Sequence, residues 1–261
     1  MIPELQNYMK LSVITPTLNA VEFLERAIQS VLSQGFDSLE HWIIDGGSSD
    51  GTLEVVSRYS HLKLLSGPDE GIFDAMNKGV GIASGDWIYF LGADDYFADD
   101  HVLNDLKPIF DGDSDVVYGD IVSGRHGERY DGPFDTIKIG RKNVCHQAIF
   151  FRHRVFNLIG TFNKIYRSYA DWDHNMRWML NRNIKKEYVD RVIAVYADNG
   201  FSFINPDPLF HRDRLYRYLT YGRDEIPMYI FGAVLGKELG RGFRQLDWSR
   251  IKRAISVALG P

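Results

Sequence analysis

The sequence predicts an α/β fold, a mainly parallel sheet flanked by helices with a small helical extension at the C-terminus. Three observations carry it. Strand-length apolar runs alternate with helix-spaced segments from about residue 10 to residue 120, the pattern of right-handed βαβ crossovers. One of these runs, Trp87-Ile-Tyr-Phe-Leu91, is apolar throughout, as expected of a strand buried on both faces. From Pro206 onward the chain reads instead as helices with Arg on one side and aromatics on the other. With 261 residues, 44% hydrophobic and 25% charged, there is material for one core and an appendage, so we divide the chain into a body of residues 1–205 and an extension of residues 206–261.

The elements follow in order. Leu11 to Thr15 is a strand, and Pro16, which cannot donate to a ladder, is expected to stop it. Val21, Leu24, Ala27, Ile28, Val31 and Leu32 have helical spacing within Ala20 to Ser33. Trp42 to Ile44 is a strand, and Ser49 or Asp50 caps a helix that runs to about Tyr59. Leu62 to Leu65 is the third strand, Gly71 to Ala83 a helix, and Trp87 to Leu91 the fourth strand. A helix from His101 to Phe110, capped by Asp99-Asp100, and a strand from Val116 to Tyr118 complete the alternation. Segment 120–150 is rich in Gly and charge and reads as a hairpin and loops, ending in a strand over Ala148 to Phe151. Asp171 to Leu180 is helical and Glu187 to Ala197 extended.

The fourth strand exits into Asp94-Asp95. Adjacent carboxylates repel, a divalent cation relieves the repulsion, and strand exits are where open α/β sheets bind ligands. The first strand exits into Thr15-Pro16-Thr17-Leu18-Asn19, small polar residues just before a helix. That arrangement suits an anion or nucleotide, although Asn19 as a plain N-cap reads equally well. The second exits into Asp45-Gly46-Gly47, where a carboxylate could accept from a base N–H and two glycines admit a flat ring. Asp74, Asn77 and Lys78 share one helix face at i, i+3 and i+4, either toward a ligand or as a solvated surface. The run Gly79-Val-Gly81-Ile-Ala-Ser-Gly85 closes a helix and precedes a strand, the reverse of a dinucleotide loop. Cys145 is the only cysteine, so no internal disulfide forms; it reads as a small core residue rather than a nucleophile.

Five blocks together carry a resemblance: Val13-Ile-Thr-Pro-Thr-Leu-Asn19, Ile44-Asp-Gly-Gly-Ser-Ser-Asp-Gly-Thr52, Asp74-Ala-Met-Asn-Lys-Gly79, Ala83-Ser-Gly-Asp86 and Leu91-Gly-Ala-Asp-Asp95. In this order and spacing the chain resembles family 2 glycosyltransferases of the Rossmann-like GT-A fold, in the branch that builds bacterial exopolysaccharides, lipopolysaccharides or glycolipids. The match extends more loosely through Cys145-His-Gln-Ala-Ile-Phe150, Ala170-Asp-Trp-Asp173 and Asn199-Gly-Phe-Ser202.

The resemblance implies an inverting, metal-dependent hexosyltransferase. Its donor would be a nucleotide-diphosphate sugar and its acceptor a hydroxyl of a glycan or lipid-linked molecule. Asp45 would recognise the base, with Pro16, Thr17, Asn19, Gly46, Asp74, Asn77 and Lys78 around the donor. Asp94 and Asp95 would divide the ribose and the cation, Mn²⁺ or Mg²⁺, between them, with His211 as a third metal ligand. Many relatives carry an acidic residue where this chain has Gly92, which leaves open which of Asp94 and Asp95 holds the ion. Inversion needs a base opposite the leaving group. Asp171 matches the family's base position and Asp173 is the reserve; two apart on a helix, they face opposite sides. His146, Gln147 and Trp172 would line the acceptor side, with Trp172 or Trp178 offering a ring to the sugar unless they are core aromatics.

Charge and hydropathy narrow the partners. A net charge of -5 argues against coating nucleic acid, but the extension holds ten Lys and Arg against six Asp and Glu. Between Lys237 and Arg253 these cations interleave with Leu239, Phe243, Leu246, Trp248 and Ile251. The pattern suits a basic amphipathic helix on an anionic leaflet, or one packed on the core or on a sister subunit in a homodimer. The first ten residues lack a leader pattern, and Ile226 to Gly236, the longest uncharged stretch of the tail, is short of the ~20 residues a span needs. The chain is therefore expected in the cytoplasm, at the inner face of the membrane if the tail binds lipid. Two other readings are a non-catalytic glycan- or sugar-nucleotide-binding subunit and a sugar nucleotidyltransferase. The latter wants a basic, Gly-rich loop after the first strand, and none precedes Arg26.

Overall fold

The computed structural model describes residues 9–197 and 205–259; the block Asn199–Ser202 lies outside them. Leu11–Thr17 (β1), Leu39–Asp45 (β2), Leu62–Ser66 (β3) and Trp87–Phe90 (β4) alternate with Leu24–Leu32 (α1), Thr52–Ser57 (α2) and Ile72–Ile82 (α3). Tyr96–Phe97 (β5), Val102–Phe110 (α4), Val116–Ser123 (β6) and Arg129–Tyr130 (β7) follow, then Ile149–Arg152 (β8), Arg154–Ile159 (α5), Ala170–Met179 (α6) and Lys186–Tyr196 (β9). The C-terminal region folds as Pro208–Tyr221 (α7), Met228–Gln245 (α8) and Trp248–Leu259 (α9). None of the described helices is long and apolar enough to cross a membrane.

One sheet runs in the order β3-β2-β1-β4-β8-β6-β9-β5, with β7 hairpinned onto β6. The expected parallel arrangement holds across β3, β2, β1 and β4. Beyond β4 the sheet is mixed: β8 runs antiparallel between β4 and β6, whereas β9 is parallel to β6. β1 also continues through Pro16, which sits opposite Ile44. Pairing of β1 with β4 ends at Ile14 and Phe90, so past that point Pro16 has no ladder on that side to interrupt.

β4 is the spine of the core. Ile88 and Phe90 pack into a cluster with Phe73, Met76 and Phe156, while Trp87, Tyr89 and Leu91 pack into one with Ala27, Val102 and Phe110. The strand is therefore buried on both faces, which explains why its sequence shows no polar alternation. α3 lies close on β1: a Cβ at Gly79 would come within 2.5 Å of the Ile14 Cγ2.

The Ala83–Asp86 block closes this α3–β4 corner. Glu40, almost wholly buried, accepts from the Ser12 hydroxyl at 2.6 Å and from the Ser84 amide at 2.7 Å, and it pairs with Lys10 and Lys63. Gly85 donates to Ser12, and a Cβ there would meet the Ser12 nitrogen at 2.7 Å. Burial opposes the Glu40 charge, but these bonds and cations hold its pKa below the ordinary carboxylate range.

Two histidines are fully buried. His41 bonds the Thr15 hydroxyl at 2.9 Å, and His174 lies among the rings of Phe151, Phe156 and Phe162. Burial depresses the pKa of both. The unfolded chain takes up their protons below about pH 6.5 while the folded chain does not. Stability is thus complete above that pH and falls as pH drops through it, by about 1.4 kcal/mol per pH unit for each histidine. His174→Leu should flatten the slope by one proton in urea unfolding measured between pH 7.5 and 5; an unchanged slope contradicts the assignment. Gly79→Ala should cost about 1–3 kcal/mol by the same method, because overpacking against Ile14 outweighs the better helix former. A neutral or stabilising effect contradicts the close approach.

Candidate active site

The exits of β1, β2 and β4 lie side by side, as the register of the three strands requires. After β4 the chain turns at Gly92, whose carbonyl accepts from the Asp95 amide at 3.1 Å. Asp95 is 1% exposed. Its Oδ1 accepts from the Ala197 amide at 2.9 Å and its Oδ2 from Gln147 Nε2 at 2.5 Å. Gln147 is itself fixed: its carbonyl accepts from the Tyr89 hydroxyl at 2.8 Å, and Cys145 Sγ donates to its Oε1. Burial first, then the charge of Asp94, push the Asp95 pKa up. Asp94 is half-buried, and its carboxylate receives no hydrogen bond from a described residue. Its carbonyl accepts from Arg26 Nη2 at 2.8 Å, and the Arg26 guanidinium lies 4.2 Å over the Tyr96 ring.

Gly92 is required by this turn. A Cβ there would fall 2.3 Å from Asp95 Oδ2 and 3.2 Å from Asp94 Oδ1. An acidic side chain at this position and Asp95 in its present place exclude each other.

The exits of β1 and β2 form one knotted pocket wall. Asp45 is buried, bonded by the Gly47 and Ser48 amides and by the Ser66 hydroxyl at 2.7 Å. Burial would raise its pKa, but Ser48, Ser66 and the Gly47 amide outweigh it and the net direction is down. Thr17 is buried, and its carbonyl accepts from Gly46. A Cβ at Gly46 would meet Asp69 Oδ2 at 2.5 Å, so Asp69 crowds this wall too.

Asn19 does not cap a helix. Helix α1 starts later, at Leu24, and has no side-chain cap. Asn19 adopts a left-handed φ of 48°, accepts from the Ser49 amide at 2.9 Å and donates its own amide to Ser48. The N-cap of α2 is Gly51, at a left-handed φ of 97°, and not Ser49 or Asp50; Asp50, one residue earlier, accepts from the Thr52 amide at 3.0 Å.

The α3 face is shared out among structural partners. Asp74 pairs with Lys78 at 3.0 Å and with Lys164 at 2.7 Å. The Lys164 bond is the main reason its pKa falls to about 2. Lys78 also donates to the Pro68 carbonyl. Asn77 uses both ends of its amide on the Phe162 backbone, at 2.9 Å each; it pins residues 161–163 rather than facing open space.

The opposite wall is the 3₁₀ turn His146–Ala148 and the start of α6. Asp171 Oδ2 accepts from Asn143 Nδ2 at 2.8 Å and lies 3.6 Å from His146 Nδ1. Its side chain keeps 12% exposure. Asp173, two residues on, points the other way as helical geometry demands. It is 1% exposed, accepts from the Tyr221 hydroxyl at 3.0 Å and pairs with Arg177 at 3.1 Å. Asp173 is therefore an internal brace and not a second base.

Two further expectations need correction. Trp172 is 7% exposed, donates its indole N–H to the Ile139 carbonyl at 2.7 Å and packs on Phe210, while Trp178 is fully buried. Both are core aromatics, so neither offers a free ring face to a sugar. His211 stands apart from the acidic couple, since no three His, Cys, Asp or Glu side chains converge among the described residues. Asp207 caps α7 and Phe210 is driven into the core, which turns His211 outward against Tyr169.

Several site residues were not legible. Asn143 holds Asp171, and it is held in turn by Asn175 Nδ2 at 2.9 Å; it lies in a loop with no periodicity. Arg26, Ser66 and Lys164 reach their partners across 68, 21 and 90 residues of chain. Cys145 has its pKa pushed up by burial and then by Asp95, so it stays a thiol and orients Gln147.

Comparison with known proteins gives the family and agrees with the fold. The sequence model described as "Glycosyl transferase family 2" matches residues 12–177. A PGL/p-HBAD biosynthesis glycosyltransferase of Mycobacterium bovis is 37% identical over 198 residues, covering 72% of this chain and 77% of that one. A chondroitin synthase of Pasteurella multocida is 29% identical over 176 residues, which is 62% of this chain and 18% of that longer protein. Among solved structures, S. aureus TarS 1-349 in complex with UDP-GlcNAc superposes with a TM-score of 0.70 at 20% identity, over 95% of this chain and 79% of that one. The mannosyltransferase PcManGT of Pyrobaculum calidifontis, in complex with GDP-Man and Mn²⁺, gives 0.61 at 19% identity, over 96% and 74%.

Gly92→Asp tests the turn. The added side chain should destabilise the fold by about 1–3 kcal/mol in urea unfolding, because it must displace Asp95 from Gln147 and adds a third like charge. Stability equal to the parent chain contradicts the packing.

Proposed function

The chain belongs to glycosyl transferase family 2, and from that premise we propose how its residues move a sugar, with inversion, from a nucleoside-diphosphate sugar to an acceptor hydroxyl. One observation carries the reading: a single short turn, Cys145 to Gln147, ties the acidic couple at the β4 exit to the carboxylate at the start of α6. The two ends of the reaction are thereby held on one rigid piece.

In this reading Asp45, kept ionised by its Ser48, Ser66 and Gly47 bonds, accepts from a base N–H at the end of β2. Asn19 holds the loop after β2 against β1, and Gly46 lets Asp69 pack against the same wall. Asp94 and Asp95 are the residues that would hold a divalent cation. One or two carboxylates, with phosphate and water oxygens filling the remaining positions, is an ordinary donor set for Mg²⁺ or Mn²⁺. The fit rests on Asp95, buried beside a second carboxylate with no cationic partner among the described residues. Asp94, with its carboxylate open, is the ligand better placed to reach it. Bound there, such an ion would neutralise charge on the departing diphosphate.

Asp171 takes the proton from the acceptor hydroxyl. Asn143 and the Trp172 amide each occupy one of its oxygens, which fixes the carboxylate while leaving lone pairs for the incoming O–H. His146 stands 3.6 Å away and can bond the same hydroxyl. For the acceptor we propose a glycan or lipid-linked hydroxyl in bacterial cell-surface polysaccharide or glycolipid assembly, supported by relatives named for PGL/p-HBAD biosynthesis and chondroitin synthesis. Peripheral membrane contact is supported by Phe243, Leu246 and Trp248, exposed on α8 and at the start of α9 next to Arg244 and Lys252.

Asp171→Asn should lower turnover by about 10²–10⁴-fold with donor affinity kept, measured as nucleoside diphosphate released from a panel of UDP-, GDP- and dTDP-sugars. Turnover within a few-fold of the parent chain contradicts the assignment of the base.

A further inference from the structure

Behind Trp172 a second site lies between the 137–141 turn, α7 and α8. The cavity encloses about 290 Å³, at the lower edge of the ~300–1,000 Å³ of small-molecule sites. Four cations line it: Arg141, Arg214, Lys237 and Arg241. Among the described residues only Arg241 has a carboxylate, Glu238 at 3.4 Å, and that carboxylate also faces Arg250 at 3.5 Å. Arg214 lies 4.9 Å over the Trp172 ring, and its Nε is buried with no hydrogen-bond partner among the described residues. Burial and the neighbouring Arg241 pull its pKa down. Four cations gathered with one nearby carboxylate, Glu238, to share are costly, and an anion relieves them.

The rest of the lining is mostly apolar, with Ile137, Leu215, Tyr218, Ile230 and Val234 interleaved with the cations along the turn, α7 and α8. α8, which supplies two of these residues, also holds Met228 and Tyr229 at 82% and 72% exposure. A free inorganic anion would gain nothing from such a wall. A phosphate carried on a hydrocarbon chain matches both kinds of lining residue: charge-assisted bonds to the guanidinium groups and burial of methylenes at about 0.8 kcal/mol each.

We propose that this cavity binds the phosphate headgroup of a lipid, with the first methylenes of its chain along α8. The site is separate from the acidic couple. Its link to the proposed base is Trp172, which follows Asp171 in α6 and lies under Arg214. A lipid held there by its phosphate would bring the membrane to the acceptor side of the protein. Binding is measurable without turnover, so its failure and the failure of the transferase mechanism are told apart.

The test uses the full chain and water-soluble short-chain lipids, which remove the general attraction of a charged bilayer. Calorimetric titration with dihexanoyl phosphatidate should show saturable binding, tighter than inorganic phosphate and absent with dihexanoyl phosphatidylcholine. Arg141→Gln and Lys237→Gln, both at exposed positions that the fold tolerates, should each weaken it by about tenfold, the worth of one charge-assisted bond. Arg58→Gln and Lys107→Gln, exposed cations after α2 and in α4 that do not line the cavity, should leave it unchanged. Equal losses from both pairs, phosphatidate no tighter than inorganic phosphate, or no saturable binding overturns the proposal.

Discussion

The structure depends on keeping one carboxylate charged where water cannot reach it. Asp95 sits at the end of a strand buried on both faces, beside a second aspartate, with 1% of its surface exposed. Burying an unpaired carboxylate is costly unless hydrogen bonds compensate, and among the described residues no Lys or Arg pairs with it. The compensation comes from the Ala197 amide at the end of β9 and from Gln147 on the 3₁₀ turn before β8. Both supports belong to the second half of the chain, so the couple exists only once the mixed part of the sheet has closed against the parallel part. Gly92 completes the condition, because any side chain there would occupy the Asp95 position.

From that point the rest of the site follows. Gln147 cannot hold Asp95 unless its own carbonyl and amide oxygen are fixed, which Tyr89 and Cys145 do. The adjacent His146 then faces Asp171, and Asn143 from the same loop bonds it. Asn175 anchors Asn143 and the Val144 carbonyl from the next turn of α6. On the far side of that helix Asp173, Arg177 and Tyr221 lock it to α7. Asp171, the proposed base, is thus set by a helix braced on both sides, and sites built on rigid elements in this way hold their geometry.

What could be read from the sequence was whatever leaves a local trace. An unbroken apolar run identified β4, and its polar exit identified the couple. Helical spacing foretold that Asp171 and Asp173 diverge, and the structure separates them as expected. The parallel half of the sheet was legible because each crossover carries its own periodicity. The mixed half was not, since β5 and β7 are two residues long and nothing local tells β8 to lie antiparallel to β4. Partner choice was the deeper loss. Asn77 has the look of a ligand-facing amide, yet its partner lies 85 residues away. The Ala83–Asp86 block, which helped identify the family, works as a corner lock around Glu40. Trp172 and His211 were misjudged for one reason: the burial of Phe210 decides which side of each faces out, and that is a tertiary fact.

The central claim is that the acidic couple at the β4 exit is where a divalent ion and the nucleotide diphosphate meet. Electron paramagnetic resonance of Mn²⁺ titrated into the protein with saturating nucleoside diphosphate tests it most directly. The account predicts that the parent chain removes the free-ion signal with a stoichiometry of one, and that Asp94→Asn with Asp95→Asn abolishes this uptake while the fold survives. Undiminished Mn²⁺ binding by the folded double variant would contradict it.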